Sequence, residues 1–482
     1  MLDDDACIPQ WRLWTQLAIL CVCFLLSFVL YLVLAATAPV ETAISPLIPL
    51  WILAFLPYFA VCAFVLRTKP AQKRWLWAEL TCILVGAVLF RVLLLNAPPD
   101  LSRDVWRYLW DGRMIVHGYS PYVYVPADPV LVPLHDIVFS NARFRDIVTN
   151  YPPGAELIFV LGYLLTPQSL LGMKSLFFVL DITTCLVLVR VLFKKRLDPR
   201  YVLLYAWCPL PIVEFAMQGH SDVLAVFFLV LAFWSSQSEH TKGRMLTGFL
   251  LGMAVLTRLY PLLLLPAFLR RRDWAFLVML GGTILLGYLP FLILGHGQAV
   301  GFFLKYASEQ GGNDGILQHL LQQVSAILGV STRTTILIEY GFDALLLLGV
   351  ACVVLILRSR NRISTPVAIL FMLSTVFAIS PHIYPWYIPV FLPWIALEAH
   401  ALQQGRLLTV GKIALALLWL YVCDMPVDYL LGVSNTNNTN WLFSTTVIYG
   451  PTSIYLVMSV GILVMYLLAS RTHIEQSNPV EA

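Results

Sequence analysis

Residues 14–36 read WTQLAILCVCFLLSFVLYLVLAA, a run without a single charged side chain. At about 1.5 Å of rise per residue, a helix of this length crosses a hydrocarbon core of ~30 Å. It is apolar on every side and has no face to turn to water, so lipid or protein must surround it. The small residues of "LAATAPV" that follow resemble a signal-peptidase site. The run is too long for a signal h-region, however, and Arg12 is the one basic residue before it. We expect it to remain as the first membrane span.

The same pattern recurs to the far end of the chain, at 46–66, 75–95, 171–193, 201–217, 221–235, 274–294, 336–357, 364–380, 384–399, 407–425 and 446–469. Of 482 residues, 59% are hydrophobic and 12% charged, where a soluble domain carries about 25% charged residues. The expected fold is an all-α polytopic membrane protein, a bundle of about 12 to 14 transmembrane helices forming one membrane-embedded domain over residues 1–482. A net charge of +4 identifies no partner, because topology biases the basic residues of membrane proteins. Those residues sit in short clusters between spans ("RTKPAQKR", "KKRLDPR", "RRRD", "RSRNR"), which argues against nucleic acid. All cysteines but Cys7 fall within the spans and none forms a CxxC pair, so neither disulfides nor zinc is expected.

Placing each basic cluster in the cytoplasm orders the spans consistently and leaves 96–170, 295–333 and 427–445 outside. One segment breaks the alternation. Residues 243–272, GRMLTGFLLGMAVLTRLYPLLLLPAFLRRR, are basic at both ends and predict two short helices bent at "TRLYP". Irregular backbone at membrane depth requires cover from protein or a wet cavity.

The first long outer loop contains SRDVWRYLWDGRMIVHGYSPY, residues 102–122. Ser102 suits an N-cap, and Gly118 with Ser120-Pro121 suits a stop. Between them Asp104, Tyr108 and Asp111 fall at i, i+4 and i+7 on one helical face, with Trp106 and Trp110 largely on another. Such an amphipathic helix is expected at the headgroup level, where Arg103, Arg107 and Arg113 can meet lipid phosphates. The plain alternative is a solvated helix on which the two aspartates pair with Arg107 and Arg113.

The motifs "RDVWRYLWDGRMIVHGYSPY", "YPPGAELIF", "QGHSDVLAVFFLVLAF", "TRLYPLLLLP" and "HIYPWYIPVFLPW" together resemble the bacterial polyprenyl-phosphate-mannose-dependent mannosyltransferases of the GT-C superfamily. "GYSPY" also resembles the first mannosyltransferase of glycosylphosphatidylinositol assembly. Many relatives carry a paired-acid motif in this loop; here Ser102 precedes Arg103-Asp104, so no metal role is carried over. The resemblance implies transfer of a sugar from a polyprenyl phosphate to a glycan or lipid acceptor outside the cytoplasmic leaflet of the plasma membrane. No cofactor is implied.

That chemistry needs a base for the acceptor hydroxyl and a cation for the departing phosphate. Asp104 is the candidate base, since a carboxylate at a helix N-terminus meets the positive end of the macrodipole. Asp111 is the second candidate, or a holder of sugar hydroxyls; a salt bridge with Arg107 is its rival role. Arg258, a cation within an apolar segment, is the candidate phosphate ligand, its rival role being a partner for Asp181 or Glu214. His220 and Asp222 of "QGHSD" are expected to complete the cavity, unless they merely cap the next helix. Tyr151 of "YPPG" and Tyr260 of "TRLYP" are further candidates. His382, Tyr384 and Trp386 are candidates for the donor groove, though an aromatic belt explains such residues equally well. A polyprenyl-linked-sugar flippase or another transporter is the alternative. It would call for inverted repeats with a broken helix in each half, and the sequence offers one broken segment.

Overall fold

A computed structural model describes residues 10–36, 46–68, 73–299, 316–380, 384–403 and 410–434 of the chain. The protein is all-α, with no strand among the described residues. In chain order the helices are α1 (Gln10–Ala36), α2 (Leu47–Arg67), α3 (Lys73–Leu94), α4 (Asp104–Val116), α5 (Ile137–Asn141), α6 (Pro153–Leu165) and α7 (Leu171–Lys194). Then come α8 (Leu203–Ala206), α9 (Pro209–Pro211), α10 (Asp222–Ser236), α11 (Thr241–Thr257), α12 (Leu265–Phe268) and α13 (Trp274–Leu294). The last are α14 (Ile316–Ile327), α15 (Thr332–Ser359), α16 (Thr365–Ile379), α17 (Leu392–Glu398), α18 (His400–Gln403) and α19 (Val410–Ser434).

Among the described residues, six helices are long and apolar enough to cross a membrane: α1, α2, α3, α7, α13 and α15. The outward faces of α13 leave Val278, Leu286 and Ile293 at 66–70% exposure, the pattern of side chains made for lipid. The expected span 446–469 lies outside the described residues.

The chain divides into two compact units. The first comprises Met1–Leu262, Asp273–Gly311 and Pro385–Pro393, and holds α1–α11 and α13. Here α11 packs against both α10 and α13, and α6 packs against α4, α7 and α11. Two buried arginines of this unit are held by carboxylates, as low dielectric favours. Arg91 of α3 and Asp181 of α7 meet at 2.6 Å, both fully buried. The Arg200 guanidinium joins Glu79 and Asp198 at 2.9 and 2.7 Å.

The expected span 201–217 is not one helix. It breaks into a 3-10 turn (Pro199–Val202), α8, α9 and a π-helical segment (Ile212–Met217). Pro199, Pro209 and Pro211 bring no N–H to a helical ladder, and hydropathy alone does not register that loss. The freed carbonyls find donors elsewhere: Trp51 Nε1 donates to Pro209 (3.1 Å), Tyr58 Oη to Leu204 (2.8 Å) and Arg91 Nη1 to Ala206 (2.7 Å). Every residue from 199 to 217 is buried, so this irregular backbone has the protein cover that membrane depth demands.

The second unit comprises Leu263–Arg272, Gly312–Tyr384 and Trp394–Ala482. Within it α12 packs on α15 and α16. Ser364 caps α16 by accepting from Val367 N–H and donates to Glu398 at 2.7 Å. Helix α14 lies within 295–333, and α19 runs through Pro426 to Ser434.

Candidate functional site

The 102–122 stretch forms α4, shifted by one residue from its expected cap. Arg103 is the N-cap and makes no side-chain cap bond. Ser102 Oγ accepts from Asp104 N–H at 3.3 Å. The helix ends as predicted: Gly118 takes φ +82°, its N–H reaches Ile115 O, and Tyr119 N–H reaches Met114 O, a Schellman closure. The apolar face does not meet lipid. Trp110 is fully buried with Leu109 and Met114 against Leu131, Val138 and Ala142 of the same loop, and Trp106 packs on that cluster. Gly112 sits so close to α6 that a Cβ there would lie 2.4 Å from the Phe159 carbonyl oxygen.

The three arginines of this stretch have different surroundings. Arg113 forks onto Asp136 at 2.6 and 2.7 Å and also donates to Leu134 O. Burial acts against ionisation of Asp136, but the Arg113 bonds outweigh it and hold its pKa below the usual value. Arg107 pairs with Asp111 at 2.7 Å and donates to Phe144 O at 2.6 Å. Arg103 is exposed.

Asp111 is fully buried in a cluster with Arg107, Thr149 and Glu156; Thr149 Oγ1 donates to Glu156 Oε1 at 2.6 Å. Burial raises the pKa of both carboxyls against one guanidinium, and Asp111 pushes Glu156 further up.

A second group of residues gathers at the other end of α4, seven residues or ~10 Å of rise away. Asp104 is half-buried, and its carboxylate has no hydrogen bond or ion pair among the described residues. It lies within electrostatic reach of Tyr108, Tyr151 and Asp222. Tyr151 Oη donates to Tyr108 Oη at 3.2 Å. Burial first, and the Asp104 carboxylate second, raise the Tyr108 pKa and keep its hydroxyl neutral.

Arg258 follows α11 directly, in extended backbone that ends the helix. Its Nη2 donates to Asp222 Oδ2 at 2.6 Å and to Ser221 Oγ at 3.4 Å. The guanidinium carbon lies 4.9 Å from the Tyr151 ring centre and 5.4 Å from that of Tyr387, within cation–π range of both. Tyr260 lies within electrostatic reach of Asp222 and Arg258. Buried Arg258 Nε and Asp222 Oδ1 have no hydrogen-bond partner among the described residues.

The "QGHSD" turn holds this group together. Gln218 Oε1 accepts from the N–H groups of Leu101 and Ser102 (3.0 and 3.3 Å), which ties down the backbone leading to Asp104. Gly219 takes φ +74°, and a Cβ there would meet Val105 at 2.9 Å. The tight turn sets His220 Nδ1 2.7 Å from Glu214 Oε2 and stacks the imidazole on Trp386, with centroids 4.2 Å apart.

The structure thus brings together Asp104, Tyr108, Tyr151, His220, Asp222, Arg258, Tyr260 and Trp386, all in the first unit. Asp111, Arg107 and Arg113 lie in other contacts. Tyr384 belongs to the second unit, and His382 lies outside the described residues. Asp181, considered as a partner for Arg258, is taken by Arg91, and Glu214 faces His220. Glu214 was considered only as a partner for Arg258, and Gln218 and Tyr387 had no signal beyond membership of "QGHSD" and "YPWY".

Residues 149–385 match glycosyltransferase family 87. The family is of the GT-C type, and the match indicates a membrane glycosyltransferase. The matched stretch contains Tyr151, His220, Asp222, Arg258, Tyr260, His382 and Tyr384, and begins after α4. Comparison with curated proteins finds no match.

Proposed function

We propose that the protein transfers a sugar, mannose by its resemblance to the GT-C mannosyltransferases, from a polyprenyl phosphate to an acceptor hydroxyl on the extracytoplasmic side of the plasma membrane. The observation that carries this reading is the half-buried Asp104 carboxylate, without a hydrogen bond or ion pair among the described residues, beside the Arg258 group. A general base needs a free lone pair within reach of the proton it takes. Asp104 accepts the acceptor hydroxyl proton as the acceptor oxygen bonds to C1 of the sugar. The C1–O bond to the phosphate breaks, its electron pair stays on the phosphate, and a phosphodiester monoanion becomes a monoester dianion. Arg258 steadies that charge, because a guanidinium fork matches phosphate oxygens. Tyr108, Tyr151, Tyr260 and Trp386 form the apolar and hydroxyl-bearing wall, and Asp222 orients Arg258.

Purified protein should consume radiolabelled polyprenyl-phosphate-mannose in the presence of envelope glycan or lipid acceptors. It should not turn over a nucleotide sugar alone without lipid. Relocation of the labelled donor intact across a vesicle membrane identifies a flippase instead, and turnover of the nucleotide sugar removes the polyprenyl-phosphate reading.

The sidedness is tested separately. Single cysteines replacing Asn141 and Arg271 in a cysteine-free version should label from opposite sides with an impermeant maleimide. Labelling of both from one side removes the extracytoplasmic assignment.

A further inference from the structure

Arg258 meets a phosphate with part of its charge already balanced by a carboxylate. Asp222 already holds the Arg258 guanidinium, and the Asp104 carboxylate lies within electrostatic reach of Asp222. Lys174, whose stem lies beside Gly219, gives its ammonium to the carbonyls of Leu94 and Ala97. A phosphate that gains a negative charge during transfer needs a further donor.

His220 is placed to be that donor. It is fully buried, and its backbone N–H and Nδ1 both engage Glu214, at 3.0 and 2.7 Å. Its Nε2 is buried with no hydrogen-bond partner among the described residues, an arrangement native proteins rarely leave without purpose. With Nδ1–H donating to Glu214, Nε2 is the atom left to act; it donates in the imidazolium form, whose charge the carboxylate steadies. Two contacts set the imidazole beside Arg258. Ser221, the next residue, lies 3.4 Å from Arg258 Nη2. Consecutive residues Trp386 and Tyr387 cover the imidazole and the guanidinium respectively.

We propose that Glu214 and His220 form a dyad whose Nε2 contacts the phosphate of the lipid donor together with Arg258, adding to the positive charge that Asp222 partly balances. The inference rests on the donor reading given under Proposed function. An imidazolium Nε2–H gives a phosphate oxygen a charge-assisted hydrogen bond. Glu214 is a positioning residue that acts through the ring.

The test titrates purified full-length protein in nanodiscs with polyprenyl phosphate and, separately, with uncharged polyprenol. His220→Gln should weaken polyprenyl phosphate binding about 10- to 100-fold, the range of a charge-assisted hydrogen bond, while polyprenol binding stays within about twofold. Glu214→Gln keeps the size and removes the charge, and should weaken the phosphate ligand selectively by about 3- to 10-fold. Unchanged phosphate affinity in both variants overturns the dyad, as does equal loss of phosphate and polyprenol, which marks a purely structural role. Should His220→Gln not fold, the phosphate-over-polyprenol selectivity of Glu214→Gln decides alone. A parent protein that binds neither lipid and consumes no donor refutes the donor reading itself, a different result from a parent that binds while its variants match it.

Discussion

Asp104→Asn should lower turnover by about 100- to 10,000-fold, the usual cost of losing a general base. Asparagine preserves the shape and can still receive a hydrogen bond, but it does not take a proton as a carboxylate does. Because Asp104 has no ion-pair partner among the described residues, the change breaks no salt bridge. Expression, thermal stability and donor binding should stay close to the parent. Asp111→Asn is the contrast. It sits fully buried against Arg107, and its loss leaves a guanidinium without its counter-charge. Breaking a buried pair from one side typically costs about 3–5 kcal/mol, so this variant should lose thermal stability while folded molecules keep most of their turnover. If Asp111→Asn is stable and inactive while Asp104→Asn works normally, the base is Asp111. If both variants stay active, the base lies elsewhere.

Arg258→Ala should carry the second large effect. It removes the cation proposed for the donor phosphate and strands Asp222, whose side chain is 2% exposed. Charge-assisted hydrogen bonds contribute roughly 1.5–3 kcal/mol each, so kcat/KM for the donor should fall by at least about 100-fold. Arg258→Lys keeps a charge for Asp222 but loses the planar fork and its fit between Tyr151 and Tyr387. It should fall by about 10-fold. In both variants the acceptor KM should change little. Equal losses in alanine and lysine, together with poor membrane expression, would reduce Arg258 to a structural partner of Asp222.

Membrane class was legible from single runs such as 14–36, because apolar length alone decides whether a helix can span. The 201–217 run was legible as apolar but not, by hydropathy, as broken, since the property that breaks it is the missing N–H of Pro209 and Pro211. Helical periodicity placed Asp104 and Asp111 on one face of α4. It carried no information on what each end would meet, and the two carboxyls occupy different surroundings. Arg258 could be recognised as a cation needing a partner. The choice of Asp222, 36 residues away, follows from how α10 and α11 pack, and sequence spacing does not encode that. Gly118 illustrates the opposite case, a local signal that the backbone followed.

The buried pair of Arg91 and Asp181 bears on how the molecule is made. The partners are 90 residues apart in the chain, and ribosomes add about 5–20 residues per second. The arginine-bearing helix is therefore synthesised roughly 5–20 s before the aspartate that neutralises it. During that interval a charge in or near the bilayer core costs on the order of 3 kcal/mol, which disfavours release of the helix into lipid on its own. The intervening chain contains α4 and the loop that roofs it. Asp104 and the loop over α4 are therefore synthesised before the Arg91–Asp181 pair can close, whereas His220, Asp222 and Arg258 follow it in the chain.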